Sequence, residues 1–270
     1  MNNGGNPIKL HQRPQVLVLS GLDPSGGAGI QADIQAITAL GCHPLPIVTC
    51  LTVQDTRNVY NSAAVDPEFI AEQLECVAAD APIHAIKTGA LGNGDIVDVL
   101  VHFLNEHKIS VPLITDPVIK AAGGGDLADE ALIDRMRTTL FALADVITPN
   151  GIELAMLGGH DDLPQSAEAL LAGGCHSVLA TGGHGTGQHI VNTLYRQGQA
   201  PGQWPIQRIG GEYHGTGCTL AAAIAAGRAE GLRLEEAIER AQEFVQGAIT
   251  SSLKVGEGQP VPDRSFKGVP

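Results

Sequence analysis

Apolar residues in this chain fall into short runs separated by stretches with a three-to-four-residue beat. Val16-Leu17-Val18-Leu19 stops at Ser20-Gly21 and reads as a buried strand. Over 29–40, Ile30, Ile34, Ile37 and Leu40 recur at helical spacing, and Gly41 supplies a C′ stop. A strand follows at 46–51. Asp66-Pro67-Glu68 joins an N-cap, a first-turn proline and an acidic first turn, which predicts a helix to residue 79. The pattern then gives strand 83–86, helix 95–107, strand 111–115, helix 129–142 and strand 146–148. Short helices at 151–157 and 166–171 precede a strand at 177–180. Two further runs, 190–195 and 205–209, are separated by Gly- and Gln-rich turns and suit an antiparallel edge. Helices at 216–228 and 234–253 close the series.

Apolar strands alternating with helices mean an α/β protein with a mainly parallel sheet covered on both faces. No internal repeat, low-complexity tract or long linker interrupts it. One domain is expected over 1–270, with 1–13 and 255–270 as loosely ordered ends. The 270 residues are 43% hydrophobic and 17% charged, enough for a large core and unlike a disordered chain. Glycine is in surplus at 34 residues, about 13% against a background of roughly 7%, which points to tight turns and close backbone approach to a ligand.

Charge and chemistry narrow the function. Sixteen basic and 29 acidic residues give a net charge of −13, which argues against nucleic acid or an anionic membrane as partner. Aromatics at 3% disfavour base-stacking modules and aromatic sugar platforms. Small anions stay in play, because backbone N–H groups bind them without net positive charge. Cys42, Cys50, Cys76, Cys175 and Cys218 are odd in number and form no C-x-x-C pair, so a disulfide framework and a zinc ribbon are poor readings. The first residues carry no apolar signal-like run, and no run nears the ~18 residues of a membrane span. A soluble protein of a reducing compartment, the cytoplasm, is expected.

Polar residues gather where the strands end. Asp23 follows the first, Gln54 and Asp55 the second, Lys87 the third, Asp116 the fourth, Asn150 the fifth and Thr181 the sixth. In a parallel sheet those ends share one edge, where open α/β folds bind ligands. Gly27-Ala28-Gly29-Ile30-Gln31-Ala32 has the letters of a dinucleotide fingerprint but lies too far beyond its strand. No Gly-Lys dipeptide exists, so a Walker loop is excluded, and H-E-x-x-H and G-x-S-x-G are also absent. The stretch 23–29 is either a ligand-wrapping glycine loop or a surface loop. His214-Gly215-Thr216-Gly217-Cys218-Thr219 leads into an alanine-rich helix and suits an oxyanion or phosphate cradle. Cys218, in the first turn, is either a cysteine whose thiolate the helix favours or a packing residue.

The motif 20–33, Ser-Gly-Leu-Asp-Pro-Ser-Gly-Gly-Ala-Gly-Ile-Gln-Ala-Asp, together with Gly215-Thr216-Gly217-Cys218-Thr219, resembles the hydroxymethylpyrimidine/phosphomethylpyrimidine kinases of thiamine biosynthesis, in the ribokinase-like superfamily. The likeness continues through Gln54-Asp55-Thr56-Arg57, Lys87-Thr88-Gly89, Asp116-Pro117-Val118, Thr148-Pro149-Asn150 with Glu153, and Gly182-Gly183-His184. It implies a three-layer αβα sandwich and an ATP- and Mg²⁺-dependent kinase. Such an enzyme phosphorylates 4-amino-5-hydroxymethyl-2-methylpyrimidine and then its monophosphate. By the same resemblance Gly21, Asp23, Ala28, Gln54, Ala90 and Val118 line the pyrimidine pocket. Asp116 and Glu153 sit near Mg²⁺, and Asp116, Asn150, Thr181 and Gly183 face ATP. Gly215, Thr216, Gly217 and Cys218 form the anion hole, with Cys218 beside the substrate hydroxyl as proton acceptor. A homodimer is implied as well.

Two positions depart from the family pattern. Thr181 stands where many members carry lysine, which removes a cationic phosphate contact. Ala90 stands where methionine is frequent, which widens the pocket wall. The rival readings are a pyridoxine/pyridoxal kinase of the same superfamily and, in a different class, a weakly active pyrimidine-binding sensor. His43, His102, His107 and His160 read as surface or loop residues, and Trp204 as edge-strand packing.

Overall fold

The computed structural model describes residues 12–120, 125, 127–183 and 187–266. Among the described residues nine strands form one sheet: β1 (Gln15–Leu22), β2 (His43–Gln54), β3 (Val59–Ala64), β4 (Ala85–Thr88), β5 (Leu113–Thr115), β6 (Val146–Ile147), β7 (Val178–Ala180), β8 (His189–Tyr195) and β9 (Gly202–Gln207). Their order is β3-β2-β1-β4-β5-β6-β7-β8-β9. From β2 to β7 every pairing is parallel. β3 is antiparallel to β2, and β8 and β9 extend the far edge antiparallel.

Alternation along the strands divides the core in two. Val16 and Val18 of β1 face α1 (Gly29–Ala39), α7 (Thr216–Ala229) and α8 (Leu234–Thr250), while Leu17 and Leu19 face the other side. On that side lie α2 (Pro67–Asp80), α3 (Gly94–Glu106), α4 (Glu130–Arg135), α5 (Gly151–Gly158) and α6 (Leu163–Ala172). This is the three-layer αβα arrangement expected. The chain leaves β1 toward β2 and returns to β4 on β1's opposite side, so strand order reverses at β1. That reversal opens a crevice at the carboxyl ends of the strands.

Most elements match the periodicity, and the exceptions have local causes. β3 is missed because only Val59 turns inward; Tyr60 to Ala64 are exposed, so no alternation marks the strand. The helix expected over 129–142 is helical in three ways. Six α-helical residues give way to a π turn at Met136–Leu140 and a 3₁₀ turn at Phe141–Leu143. The end expected to be loose beyond 255 is a correction: Val261 and Arg264 are buried, and Leu253 bridges Val261. Its anchors are mainly polar, which hydrophobic periodicity does not register. Trp204 packs against the α1–α7–α8 layer, as an edge-strand residue should.

One ion pair crosses the apolar interior. Lys87, at the end of β4, places Nζ 2.8 Å from Oδ1 and 2.9 Å from Oδ2 of Asp33 on α1, and both side chains are fully buried. Replacing Lys87 alone strands a carboxylate in the core. Lys87→Met should therefore cost about 3–5 kcal/mol, and adding Asp33→Leu should recover much of that loss. Urea unfolding of the single and double variants checks this; a Lys87→Met protein as stable as wild type would contradict it.

Candidate active site

The buried pair lies at the floor of the crevice. Desolvation opposes the Lys87 ammonium, but the Asp33 carboxylate, helped by Asp116, outweighs it and holds lysine above its ordinary pKa. The floor is thus a fixed positive charge. Gly89 leaves room for it: a Cβ there would fall 2.4 Å from Ser20 Oγ and 2.8 Å from Lys87 Nζ.

Asp116 follows β5 and Glu153 lies in the first turn of α5, both nearly closed to solvent. Burial pushes Asp116 up to about 6, with Lys87 opposing the rise. Burial and the charge of Asp116 push Glu153 up to about 8. Both Glu153 oxygens also accept backbone bonds, Oε2 from Asn150 N at 3.0 Å and Oε1 from Ile119 N at 3.3 Å. Asn150 Oδ1 accepts in turn from Ile152 N and Glu153 N, so the two residues form a reciprocal cap on α5. Thr181 bridges Asn150 on the next strand end, and its N–H donates to Pro149 O at 2.9 Å. Gly183 O accepts from Arg208 Nη1 at 2.9 Å, placing a cation beside the predicted ATP loop. His184 lies outside the described residues.

Across the crevice, the glycine loop closes on Asp23. Its Oδ1 accepts from Ser25 N at 2.8 Å, and its Oδ2 from Ala28 N at 2.7 Å and from His214 Nε2, also at 2.8 Å. Burial opposes the charge, but the His214, Ser25 and Ala28 bonds together hold Asp23 down at about 2. Asp23 therefore serves the loop itself, and its carboxylate is already engaged. Gly29 permits the turn, with φ +57° and no space for a Cβ, which would fall 2.3 Å from Gly21 O.

α7 begins at Gly215, whose φ of +87° is left-handed; a Cβ there would meet Gly27 O at 2.0 Å. No side chain caps the helix and no acidic residue occupies its first turn. The leading N–H groups of Thr216, Gly217 and Cys218 are the orphan donors of a helix N-terminus, suited to an anion. The sequence left Cys218 open between a favoured thiolate and a packing residue. The helix favours a thiolate, but burial and the Asp116 carboxylate push the thiol up to about 12. Cys218 remains a neutral thiol within the electrostatic reach of the Asp116 carboxylate.

The predicted acceptor pocket is partly assembled. A Cβ on Gly21 would fall 2.6 Å from Cys50 Sγ and 3.4 Å from Ala90 Cβ, so these three residues share one wall. Gln54 Nε2 donates to Thr52 Oγ1 at 2.5 Å, which leaves its carbonyl oxygen and one N–H open. Val118 is half-buried two residues after Asp116. Sequence reasoning missed the Asp33 and Arg208 contributions and a buried arginine, Arg264, beneath the glycine loop. For Asp33 a signal existed: an acid between Ile30 and Ile37 on the apolar face of α1.

The profile of the phosphomethylpyrimidine kinase family matches residues 23–262. A hydroxymethylpyrimidine/phosphomethylpyrimidine kinase of Synechococcus elongatus is 37% identical over 252 residues, covering 91% of this chain and 95% of its own. A thiamine biosynthesis bifunctional protein of Geobacter sulfurreducens is 36% identical, and this chain spans about half of its length, 51%. Among solved structures, a Bacillus subtilis pyridoxal kinase in complex with ADP superposes with a TM-score of 0.85 at 29% identity, covering 94% of this chain and 98% of its own. A phosphomethylpyrimidine kinase of Clostridium difficile gives 0.75 at 29% identity, covering 87% and 99%.

The carboxylates carry a signature in stability. Folded Glu153 keeps its proton to about pH 8, whereas the unfolded chain releases it near 4.5. Between those values the folded state binds more protons, so Glu153 makes stability fall as pH rises. Glu153→Gln should flatten that decline, whatever its cost at any single pH. Urea unfolding across pH 5 to 8 checks it, and an unchanged slope would contradict the burial of a titrating Glu153.

Proposed function

The chain belongs to the phosphomethylpyrimidine kinase family, and from that membership we propose the substrates, the cofactor and the part each site residue takes. The reaction is transfer of the γ-phosphoryl group of ATP to the hydroxymethyl oxygen of 4-amino-5-hydroxymethyl-2-methylpyrimidine, then to the monophosphate so formed. The observation that carries this reading is the uncapped N-terminus of α7 beside Asp116, with Lys87 buried beneath. Phosphoryl transfer asks for alignment and for charge stabilisation on the moving group more than for covalent chemistry.

The N–H groups of residues 216–218 would take the γ-phosphoryl oxygens, and the fixed charge of Lys87 adds to their field. Thr181, Gly183 and Asn150 would line the phosphate chain. Arg208, bonded to Gly183 O, offers the cation that Thr181 does not. Gln54 would read the ring: its Oε1 accepts from the 4-amino group and its remaining N–H donates to the ring nitrogen. Gly21 and Ala90 form the wall beside it.

Asp116 and Glu153 fit a hard divalent cation. They are oxygen donors, close enough that Asp116 raises Glu153, and a cation relieves that repulsion. Mg²⁺, when bound, would neutralise charge on the ATP phosphates. Proton transfer would fall to Cys218 and the Asp116 oxygen that a cation leaves open: the thiol gives its proton to that oxygen as it takes one from the acceptor hydroxyl. In this relay Cys218 keeps the proton-acceptor part that the resemblance implied and passes the proton on.

Five free cysteines are in keeping with a cytoplasmic protein, and among the described residues no helix is long and apolar enough to cross a membrane. A homodimer through the β2–β3 edge, where Leu51, Val53 and Tyr60 are exposed, completes the reading. The likeness to pyridoxal kinases, together with Ala90 in the pocket wall, favours pyridoxal as the second acceptor to test.

A coupled assay offering the pyrimidine alcohol, its monophosphate and pyridoxal should give turnover on both pyrimidines, with pyridoxal far behind. Gln54→Leu should lower pyrimidine turnover by more than about tenfold, since a buried unmatched amine costs roughly 1–3 kcal/mol. Unchanged kinetics in the variant, or a wild-type preference for pyridoxal, would contradict the assignment. Pyrimidine binding without ATP turnover would instead favour the sensor.

The relay separates two Cys218 variants. Cys218→Ser keeps a hydroxyl able to pass a proton and should stay within about tenfold of wild type, while Cys218→Ala should lose about 10²–10⁴-fold. Steady-state kinetics check this, and equal losses in both variants would leave no role for a relay.

A further inference from the structure

Among the described residues after α8, 251–266, there is no helix or regular strand, and the proposed reaction assigns them nothing. The segment nonetheless braces the crevice at several points. Gly258 N donates to Thr56 Oγ1 at 2.9 Å and Gln259 N to Thr56 O at 2.8 Å, two residues beyond Gln54. Leu253 and Val261 exchange backbone bonds and close the segment on itself. Pro260 O accepts from His214 N at 2.9 Å, and His214 is the residue that meets Asp23.

The segment ends in a guanidinium with almost no solvent access, that of Arg264. Its Nε donates to Thr219 Oγ1 at 2.8 Å and its Nη1 to Gln35 Oε1 at 3.1 Å. Its Nη2 donates to Gly27 O at 2.5 Å and to Gly215 O at 3.4 Å. One planar fork thus joins the glycine loop, α1 and the first turn of α7. No cis peptide is present among the described residues, so each carbonyl it holds sends the N–H of the same peptide the opposite way. Holding Gly27 O aims the Ala28 N–H away from the guanidinium, where it meets Asp23 Oδ2 at 2.7 Å. Holding Gly215 O, which Thr219 N and Thr219 Oγ1 also bind, fixes the peptide carrying the Thr216 N–H, first of the orphan donors.

We propose that Arg264 is a positioning residue for phosphoryl transfer: it sets the angle of the anion hole against the glycine loop, and the segment 251–266 is the strap that delivers it. The proposal rests on the kinase reading above. A lysine keeps the charge but offers a single point in place of the planar fork. It should therefore hold the fold and lose the alignment.

The test compares wild type, Arg264→Lys and Thr219→Val, reading kcat, acceptor KM, affinity for a non-hydrolysable ATP analogue and thermal midpoint. Arg264→Lys should lower kcat about 10- to 100-fold while analogue affinity changes by less than about threefold, because misalignment of the reacting groups falls on the transition state. Thr219→Val, which removes one acceptor of the fork, should move kcat in the same direction by a smaller factor. Arg264→Ala should regain turnover with millimolar methylguanidinium and not with methylammonium. If Arg264→Lys keeps wild-type kcat while its thermal midpoint falls, Arg264 is a structural staple and the proposal is overturned. Should the lysine variant not fold, unchanged kcat in Thr219→Val overturns it equally. A wild-type protein with no turnover on any acceptor would instead fail the kinase reading, and this proposal with it.

Discussion

Two opposite charges sealed from water at the junction of α1 and β4 govern what the crevice above them can be. A buried ammonium is costly unless a carboxylate answers it, and Asp33 answers Lys87 through both oxygens. The pair need not add net stability, because an apolar replacement would fill the same space. What it supplies is a cation that neither moves nor titrates, in the place where strand order reverses. Asp116 and Cys218 both feel it. An anion brought to the α7 N-terminus meets helix N–H groups over a positive floor, in surroundings where water screens little.

Around that floor the backbone is held by groups that spend their own polarity on it. Asp23 binds the N–H groups of its loop, Glu153 those of the turn after β5 and of the α5 cap, and Arg264 the carbonyls of Gly27 and Gly215. The Gly27–Ala28 peptide is bound at both ends, by Arg264 and Asp23, while the peptide that Arg264 holds at Gly215 O leaves the Thr216 N–H to face the crevice. The loop glycines are where side chains would break this arrangement, with Gly215 facing Gly27 O and Gly29 facing Gly21 O at distances no Cβ tolerates. Preorganisation of this kind is what electrostatic stabilisation of a transferring phosphoryl group requires.

The layers of the fold were legible because β1 and β4 to β7 are buried and apolar, and because α1, α2 and α3 carry clean helical spacing or caps. β3 was illegible for the opposite reason: one inward residue carries no period. In the candidate site, Asp116, Asn150 and Thr181 could be found as polar residues at strand ends, and residues 215–218 as glycines before a helix. The sign of the Cys218 shift could not, since it depends on burial and on Asp116, which lies more than a hundred residues away in sequence. Arg264 was hidden likewise. A lone arginine in a polar tail looks like surface until the tertiary structure brings Gly27, Gln35 and Thr219 to it.

The central claim is that the phosphoryl group moves between the α7 N-terminus and Asp116, over the buried Lys87. A crystal structure with a non-hydrolysable ATP analogue and the pyrimidine alcohol tests it most directly. The account predicts the γ-phosphoryl oxygens within hydrogen-bond distance of the backbone N–H groups of residues 216–218. It also predicts the acceptor hydroxyl beside Cys218 and the ring edge on Gln54. A nucleotide whose phosphates lie along the 23–29 loop, with the first turn of α7 facing solvent, would contradict it.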